Sequence, residues 1–177
     1  MSVPPLFEVV ITAIVVRDHT FLVERRALSK QRFPGKWSVP GGKLEPNDFL
    51  SLPKDTEHYW YNVLERTLKR EVQEEVGIDI ANVRYLTSLA RVHEDGTPSL
   101  VISCLADYAG GEIRLEAEEL DRAVWVSLGE AKECDLIDGI YDELAMADAA
   151  LHGRSVGAWQ RTPPEPSGSC ETRSSEH

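Results

Sequence analysis

Three cysteines in 177 residues, Cys104, Cys134 and Cys170, are too few and too scattered for a sulfur-based scaffold. Their count is odd and no two have C-x-x-C spacing, so neither a zinc site nor a disulfide framework is supported, and reduced thiols are expected. Positive charge is also scarce: 19 lysines and arginines stand against 30 aspartates and glutamates, a net charge of −11. General binding to nucleic acid or to an anionic membrane needs a basic face, so neither is expected as a partner. A local basic pocket for a nucleotide stays open. No run of 18 apolar residues occurs, and residues 1–8 lack a basic region ahead of an apolar core, so the expectation is a soluble, unexported, cytoplasmic protein. A Walker-type phosphate loop is missing too. Gly42-Lys43 resembles its ending, but Trp37 stands where glycine is required and Leu44 where Ser or Thr would hold a metal.

What is present suits one globular core, with 42% hydrophobic residues. The expected division is a short arm over 1–6, one domain over 7–160, and a disordered tail over 161–177, rich in proline and serine and without apolar periodicity. Residues 9–16 are β-branched and apolar and read as a buried strand, with 17–20 a turn and 21–26 the returning strand. Further strands are expected at 83–92 and 100–108, joined by a turn-rich hairpin, and at 123–128. Trp60, Leu64, Leu68, Val72 and Val76 recur every four residues, which predicts one helix from an N-cap at Asp55 or Thr56 to Gly77. A second helical stretch is expected over 128–151, its apolar stripe formed by Leu136, Ile137, Ile140, Leu144 and Ala147.

The chemistry concentrates between Gly41-Gly42-Lys43-Leu44-Glu45 and Arg70-Glu71-Val72-Gln73-Glu74-Glu75-Val76-Gly77-Ile78. Glu71 stands three residues before Glu74 and four before Glu75, so a helix sets all three carboxylates on one surface. Like charges placed this way repel unless something compensates them. Three hard oxygen donors on a rigid element suit Mg²⁺ or Mn²⁺ together with substrate phosphate. A solvated acidic face is the plain alternative for a bare E-x-x-E-E string. Two neighbours weigh against it: Arg70 can pair with an adjacent acid, and Gly77 stands where a left-handed helix cap belongs.

This stretch resembles the Nudix box, G-x5-E-x7-R-E-U-x-E-E-x-G-U with U aliphatic. Arg70, Glu71, Val72, Glu74, Glu75, Gly77 and Ile78 match the second half at every fixed position, and Gly42 serves as the opening glycine. The first half departs from the pattern. Asp48 stands in place of the first glutamate, and residues 49–69 separate it from Arg70 where the pattern has seven, an insertion of about 14 residues.

The resemblance, which covers roughly residues 7–150, implies an α/β (α+β) fold: a Nudix-like α/β/α sandwich with a mixed β-sheet. It implies that Glu71, Glu74 and Glu75 hold the metal, with Gly42 nearby, and that Arg70 orients them. It also implies a carboxylate from the loop before the last strand as a further metal contact or general base, for which Glu119 is the candidate and Glu118 the neighbour it could be confused with. Arg26 follows the first hairpin, where family members contact substrate phosphate; a solvated strand-end arginine is the alternative. Trp37, in a loop mixing cations with aromatics, is a candidate for stacking a base, against the alternative of packing beneath that loop. Gly41 is expected close to substrate, and Asp138 is the candidate for the border of a base pocket. Tyr59 and Tyr61 in the insertion suit either the substrate pocket or a dimer contact.

The expected function is a Mg²⁺-dependent pyrophosphohydrolase, with Mn²⁺ as a substitute, cleaving a phosphoanhydride in a small nucleotide such as a nucleoside triphosphate or ADP-ribose. The resemblance allows a homodimer. The alternative is a non-catalytic Nudix-like module that senses a nucleotide or ADP-ribose, and a small structural domain with an acidic helix ranks last.

Overall fold

A computed structural model describes residues 6–154; the expected tail lies outside that range, as does all of the expected arm but Leu6. In chain order the elements are β1 (Glu8–Arg17), β2 (Thr20–Arg26), β3 (Trp37–Ser38), β4 (Gly41–Lys43), α1 (Asn47–Leu50) and α2 (Val63–Val76). There follow β5 (Ile78–Val92), β6 (Pro98–Gly111), β7 (Leu120–Val126), a 3-10 turn (Glu130–Glu133) and α3 (Ile140–Leu151). The strands form one mixed sheet in the order β3-β2-β1-β6-β5, with β4 joined to β1 and β7 to β2. Among the described strands only β1 and β6 run parallel; the other strand pairs are antiparallel.

Strand alternation builds a core on each face. Ile11, Ala13 and Val15 of β1 pack with Leu68, Val72 and Val76 of α2, while Ile14 packs with Ile140, Leu144 and Ala147 of α3. Each such fully buried side chain contributes about 1.5–3 kcal/mol of hydrophobic stabilisation. The outcome is the expected α/β/α sandwich. One irregularity prepares the site: β1 pairs β2 only at Val16–Phe21 and Arg17–Thr20, and at residues 10–12 it pairs β4 instead.

Two helix expectations are corrected. The long helix from Asp55 or Thr56 does not form; α2 begins at Val63, because Asn62 adopts a left-handed conformation with φ 53°. Asp55 and Thr56 cap a turn rather than a helix: their N–H groups donate to Tyr59 O at 3.0 and 3.2 Å, and their side chains accept from the backbone of Tyr61 and Tyr59. Local side-chain bonds of this kind compete with helix. The C-terminal end is as expected, with Gly77 left-handed and its N–H donating to Gln73 O at 3.1 Å.

The stretch 128–151 is likewise not one helix. Residues 134–138 run alongside β3, with Trp37 N–H donating to Asp135 O at 3.0 Å and Ile137 N–H to Trp37 O at 2.8 Å. Gly139, at φ 90°, then turns the chain into α3. The last strand begins at Leu120, three residues earlier than expected, because β7 follows β2 down to Arg26.

Candidate active site

The apolar stripe of α2 decides where its carboxylates go. With Leu68, Val72 and Val76 committed to the core, Glu71 and Glu75 are carried beside β4, into a cleft of about 910 Å³. Glu71, Glu74, Glu75, Glu116 and Glu119 all border that cleft, which is lined from both β1 and β4. Gly41 lies flat on β1, where a Cβ would stand 2.3 Å from Ile11 O, and its N–H donates to Glu75 Oε2 at 2.9 Å. Gly42 lacks a side chain for a different reason. A Cβ there would meet the Glu71 carboxyl carbon at 2.1 Å.

Burial raises the Glu75 pKa to about 8; the Gly41 N–H and Arg26 pull it down, while Glu71 and Glu119 push it further up. Burial also raises Glu71, against the opposing pull of Arg70. Arg70 is the hub of the cluster. Its Nη2 lies 2.8 Å from Glu71 Oε1, its Nη1 2.7 Å from Glu74 Oε2, and its Nε 2.9 Å from Asp48 Oδ1.

Asp48 therefore reaches the cluster despite the insertion. The short α1 brings it back onto α2, while residues 51–62 loop outward and are held by their own contacts: Trp60 Nε1 donates to Leu52 O at 2.9 Å and the Trp60 ring meets Phe49 edge-on. Burial would raise the Asp48 pKa, but the Glu45 N–H, Arg70 and Thr67 together hold it below the ordinary value. Among the described residues its hydrogen-bond partners are the Glu45 N–H, the Thr67 hydroxyl and Arg70, all donors, so its place is behind Arg70, holding the guanidinium that holds Glu71 and Glu74.

The other anticipated residues divide. Gly41, Gly42, Arg26, Glu119 and Asp138 border the same cleft as the helix carboxylates. Glu119 forms an ion pair with Lys30, and Arg26 Nε donates to Arg32 O at 3.0 Å. Trp37 is elsewhere: it is 9% exposed and packs in the core with α3, with the guanidinium groups of Arg25 and Arg122 at 5.8 and 5.9 Å from its ring centre. The packing alternative thus describes its position. Tyr59 and Tyr61 are exposed and do not border the cleft.

Two buried carboxylates escaped the sequence reading. Glu24, on β2, is 1% exposed; burial first, then Glu75, raises its pKa well above the ordinary range, and its Oε2 has no hydrogen-bond partner among the described residues. Glu143, on α3, borders the cleft and is also raised by burial. A charge inside the apolar run Phe21-Leu22-Val23-Glu24 was the one available signal for the first.

These carboxylates fit a hard divalent cation in chemistry. They are oxygen donors, several are desolvated, and two buried carboxylate oxygens, on Glu24 and Glu143, lack a partner among the described residues, so a cation would offset repulsion that Arg70 and Arg26 relieve only in part. Among the described residues no three potential ligands already converge on one point. Arg70 occupies oxygens of Glu71 and Glu74, and the Gly41 N–H occupies one of Glu75.

Comparison with known proteins identifies the family and the fold. Residues 6–144 match the family described as NUDIX domain. The NAD-capped RNA hydrolase NudC of Vibrio atlanticus is 28% identical over 155 residues, covering 83% of this chain and 50% of that protein. The same-named protein of Photobacterium profundum is 39% identical over 98 residues, 52% of this chain and 36% of the relative. The chain thus spans half or less of the length of these curated relatives. A Nudix hydrolase structure from Alicyclobacillus acidocaldarius superposes with a TM-score of 0.66 at 20% identity, over 88% of this chain and 100% of that one.

Proposed function

The chain belongs to the Nudix family, and on that premise we propose that it is a metal-dependent pyrophosphohydrolase cleaving the phosphoanhydride of a nucleoside diphosphate linked to another moiety. The observation that carries the reading is the placement of Glu71 and Glu74 on Arg70 and of Glu75 on the Gly41 N–H, all bordering one cleft of nucleotide size. Glu71, Glu74 and Glu75, with the backbone at Gly42, hold the cation, which we take to be Mg²⁺ with Mn²⁺ as a substitute. When bound, such an ion neutralises diphosphate charge and lowers the pKa of water.

The residues of the chain do the rest. Arg70, itself held by Asp48, keeps Glu71 and Glu74 oriented. Arg26 meets phosphate, and Asp138 borders the base. A carboxylate, either Glu119 or one of the helix glutamates, takes a proton from the attacking water as the new P–O bond forms and the anhydride P–O bond breaks. The net charge of −11 favours a small nucleotide over a nucleic acid as substrate, with ADP-ribose and nucleoside triphosphates as the first choices. Leu50, Tyr59 and Tyr61 expose apolar surface away from the cleft, and there we place a homodimer contact. Among the described residues no helix is long and apolar enough to cross a membrane, and we assign the protein to the cytoplasm.

The test is a panel of nucleoside triphosphates, ADP-ribose, dinucleotides and nucleotide sugars, incubated with and without Mg²⁺ and assayed for phosphate and nucleoside monophosphate. Metal-dependent release from at least one compound is expected. If every compound stays intact while one of them raises the melting temperature, the chain is a nucleotide sensor instead.

A further inference from the structure

Two aromatic residues follow β2 closely, and they part company: Trp37 turns into the core, whereas Phe33 is half-buried and borders the cleft. Phe33 has a left-handed backbone, φ 53°, which is uncommon for a bulky side chain and marks a position that its surroundings impose. Arg26 holds the loop on both sides of it, accepting from Gly35 N–H at 3.1 Å and donating through Nε to Arg32 O at 3.0 Å. Arg91 of β5, which also borders the cleft, lies over the Phe33 ring with its guanidinium 4.6 Å from the ring centre. Among the described residues Arg91 forms no ion pair, so no carboxylate claims that guanidinium.

The sheet adds an apolar row to the same cleft. Val10, Val101 and Leu89 are register partners on β1, β6 and β5, so their side chains share one face. Ile11 and Ala13 pack on the α2 side, so that face is the one toward α3. All three residues border the cleft; Val10 and Val101 are half-buried and Leu89 is 38% exposed. Arg91, two residues along β5 from Leu89, belongs to the same face. Val10 also pairs Lys43 of β4, the neighbour of Gly42, so the row starts beside the carboxylates of α2 and leads away from them. Leu89 stands three strand spacings from Lys43, roughly 14 Å.

Chemistry decides what lies on such a row. A phosphate placed there loses hydration against apolar side chains, and the hydroxyls of a sugar find no partner on Val10, Val101 or Leu89. A nucleobase suits both surfaces, since its flat face stacks on an aromatic ring or a guanidinium plane and its apolar area is removed from water against aliphatic side chains. We propose that Phe33 and Arg91, with the row Val10, Val101 and Leu89, form a stacking subsite for the nucleobase of the substrate, and that this subsite favours a purine over a pyrimidine by contact area. The inference rests on the nucleotide reading above and adds to it where the base lies and which ring size it prefers. A two-ring base reaches from the row to Arg91 and Phe33, whereas a single ring leaves one of the two uncovered.

The experiment is calorimetric titration of the full chain, in Mg²⁺, with the α,β-methylene analogues of ADP and UDP. The two differ only in the base, and neither has a phosphoanhydride, so nothing is turned over. The wild type is expected to bind the adenosine analogue at least about fivefold more tightly than the uridine analogue. Phe33→Ala and Arg91→Ala are each expected to bring that ratio near one by weakening the adenosine analogue more, while Phe33→Tyr keeps the ring and the ratio. Arg91 is exposed, so Arg91→Ala answers the question if Phe33→Ala fails to fold. An arginine acting only as a charge on the diphosphate would weaken both analogues alike. A ratio retained in Arg91→Ala or in Phe33→Ala therefore overturns the proposal, and so does equal or inverted binding by the wild type, or no binding of either analogue. Hydrolysis of the nucleotide panel with no purine preference would sink this inference and leave the enzyme standing; stacking-dependent binding without hydrolysis would do the reverse.

Discussion

Asp48 Oδ1 lies 2.7 Å from Arg70 Nη2, although 21 residues separate the two in sequence and the loop between them swings away from the site. The same guanidinium reaches Glu71 and Glu74, so one aspartate on a four-residue helix positions two of the carboxylates on α2.

Asp48→Ala should therefore impair turnover through Arg70 without unfolding the chain. Loss of a group that orients ligands typically costs about 10–100-fold in activity or metal affinity. The expected result is a fall of that size in kcat and a weaker apparent affinity for Mg²⁺, with Asp48→Glu losing less. Steady-state rates across a Mg²⁺ titration decide it, and an unchanged kcat in the alanine variant would contradict the hub.

The two adjacent glycines should fail differently. At Gly41 an added Cβ strikes backbone, Ile11 O at 2.3 Å, and φ is 154°, so Gly41→Ala should destabilise the fold, by about 1–3 kcal/mol. At Gly42 the Cβ strikes the movable Glu71 carboxylate instead. Gly42→Ala should keep a melting temperature close to wild type yet lose most activity. Thermal melts and rates measured side by side would expose the reverse pattern, if it holds.

Glu75 ties stability to pH and metal. With its folded pKa raised to about 8 from an ordinary 4.5, the folded metal-free protein retains a proton that the unfolded chain has released. The folded state then binds more protons than the unfolded state, so stability falls as pH rises from about 4.5 through 8 and levels off above. A cation removes the penalty by binding the ionised form. Mg²⁺ should accordingly raise the melting temperature more at pH 8.5 than at pH 6, and differential scanning calorimetry in EDTA and in Mg²⁺ would show an equal rise if Glu75 is not involved.

Trp37 should behave as a core residue. Trp37→Ala is expected to cost about 3–5 kcal/mol, and Trp37→Phe less, with KM in the phenylalanine variant within about twofold of wild type. A large KM change at unchanged stability would return Trp37 to the substrate.

Much of this architecture could be read from residue spacing, because the signals are local. Leu68, Val72 and Val76 recur at the helical period and Gly77 supplies the cap, so α2 and its carboxylates were legible from a dozen residues. The start of α2 was not. Trp60 keeps the four-residue spacing of the stripe but packs on Phe49, while Asn62, in a left-handed conformation, breaks the helix behind it. Asp48 meeting Arg70 is a long-range contact that a one-dimensional pattern loses once the spacing stretches. Glu24 and Glu143 were missed for the opposite reason: a charge on a strand or helix ordinarily points to water, and only the packed structure shows that these two do not.

The most direct test of the central claim is the Mg²⁺-dependent release of nucleoside monophosphate from ADP-ribose and nucleoside triphosphates by the wild type and by Glu75→Gln, with Mn²⁺ binding measured on both. The account predicts turnover by the wild type, none without metal, loss of at least about 100-fold in the variant with its melting temperature preserved, and weaker Mn²⁺ binding by the variant. Full activity in Glu75→Gln, or wild-type turnover that persists in EDTA, would contradict it.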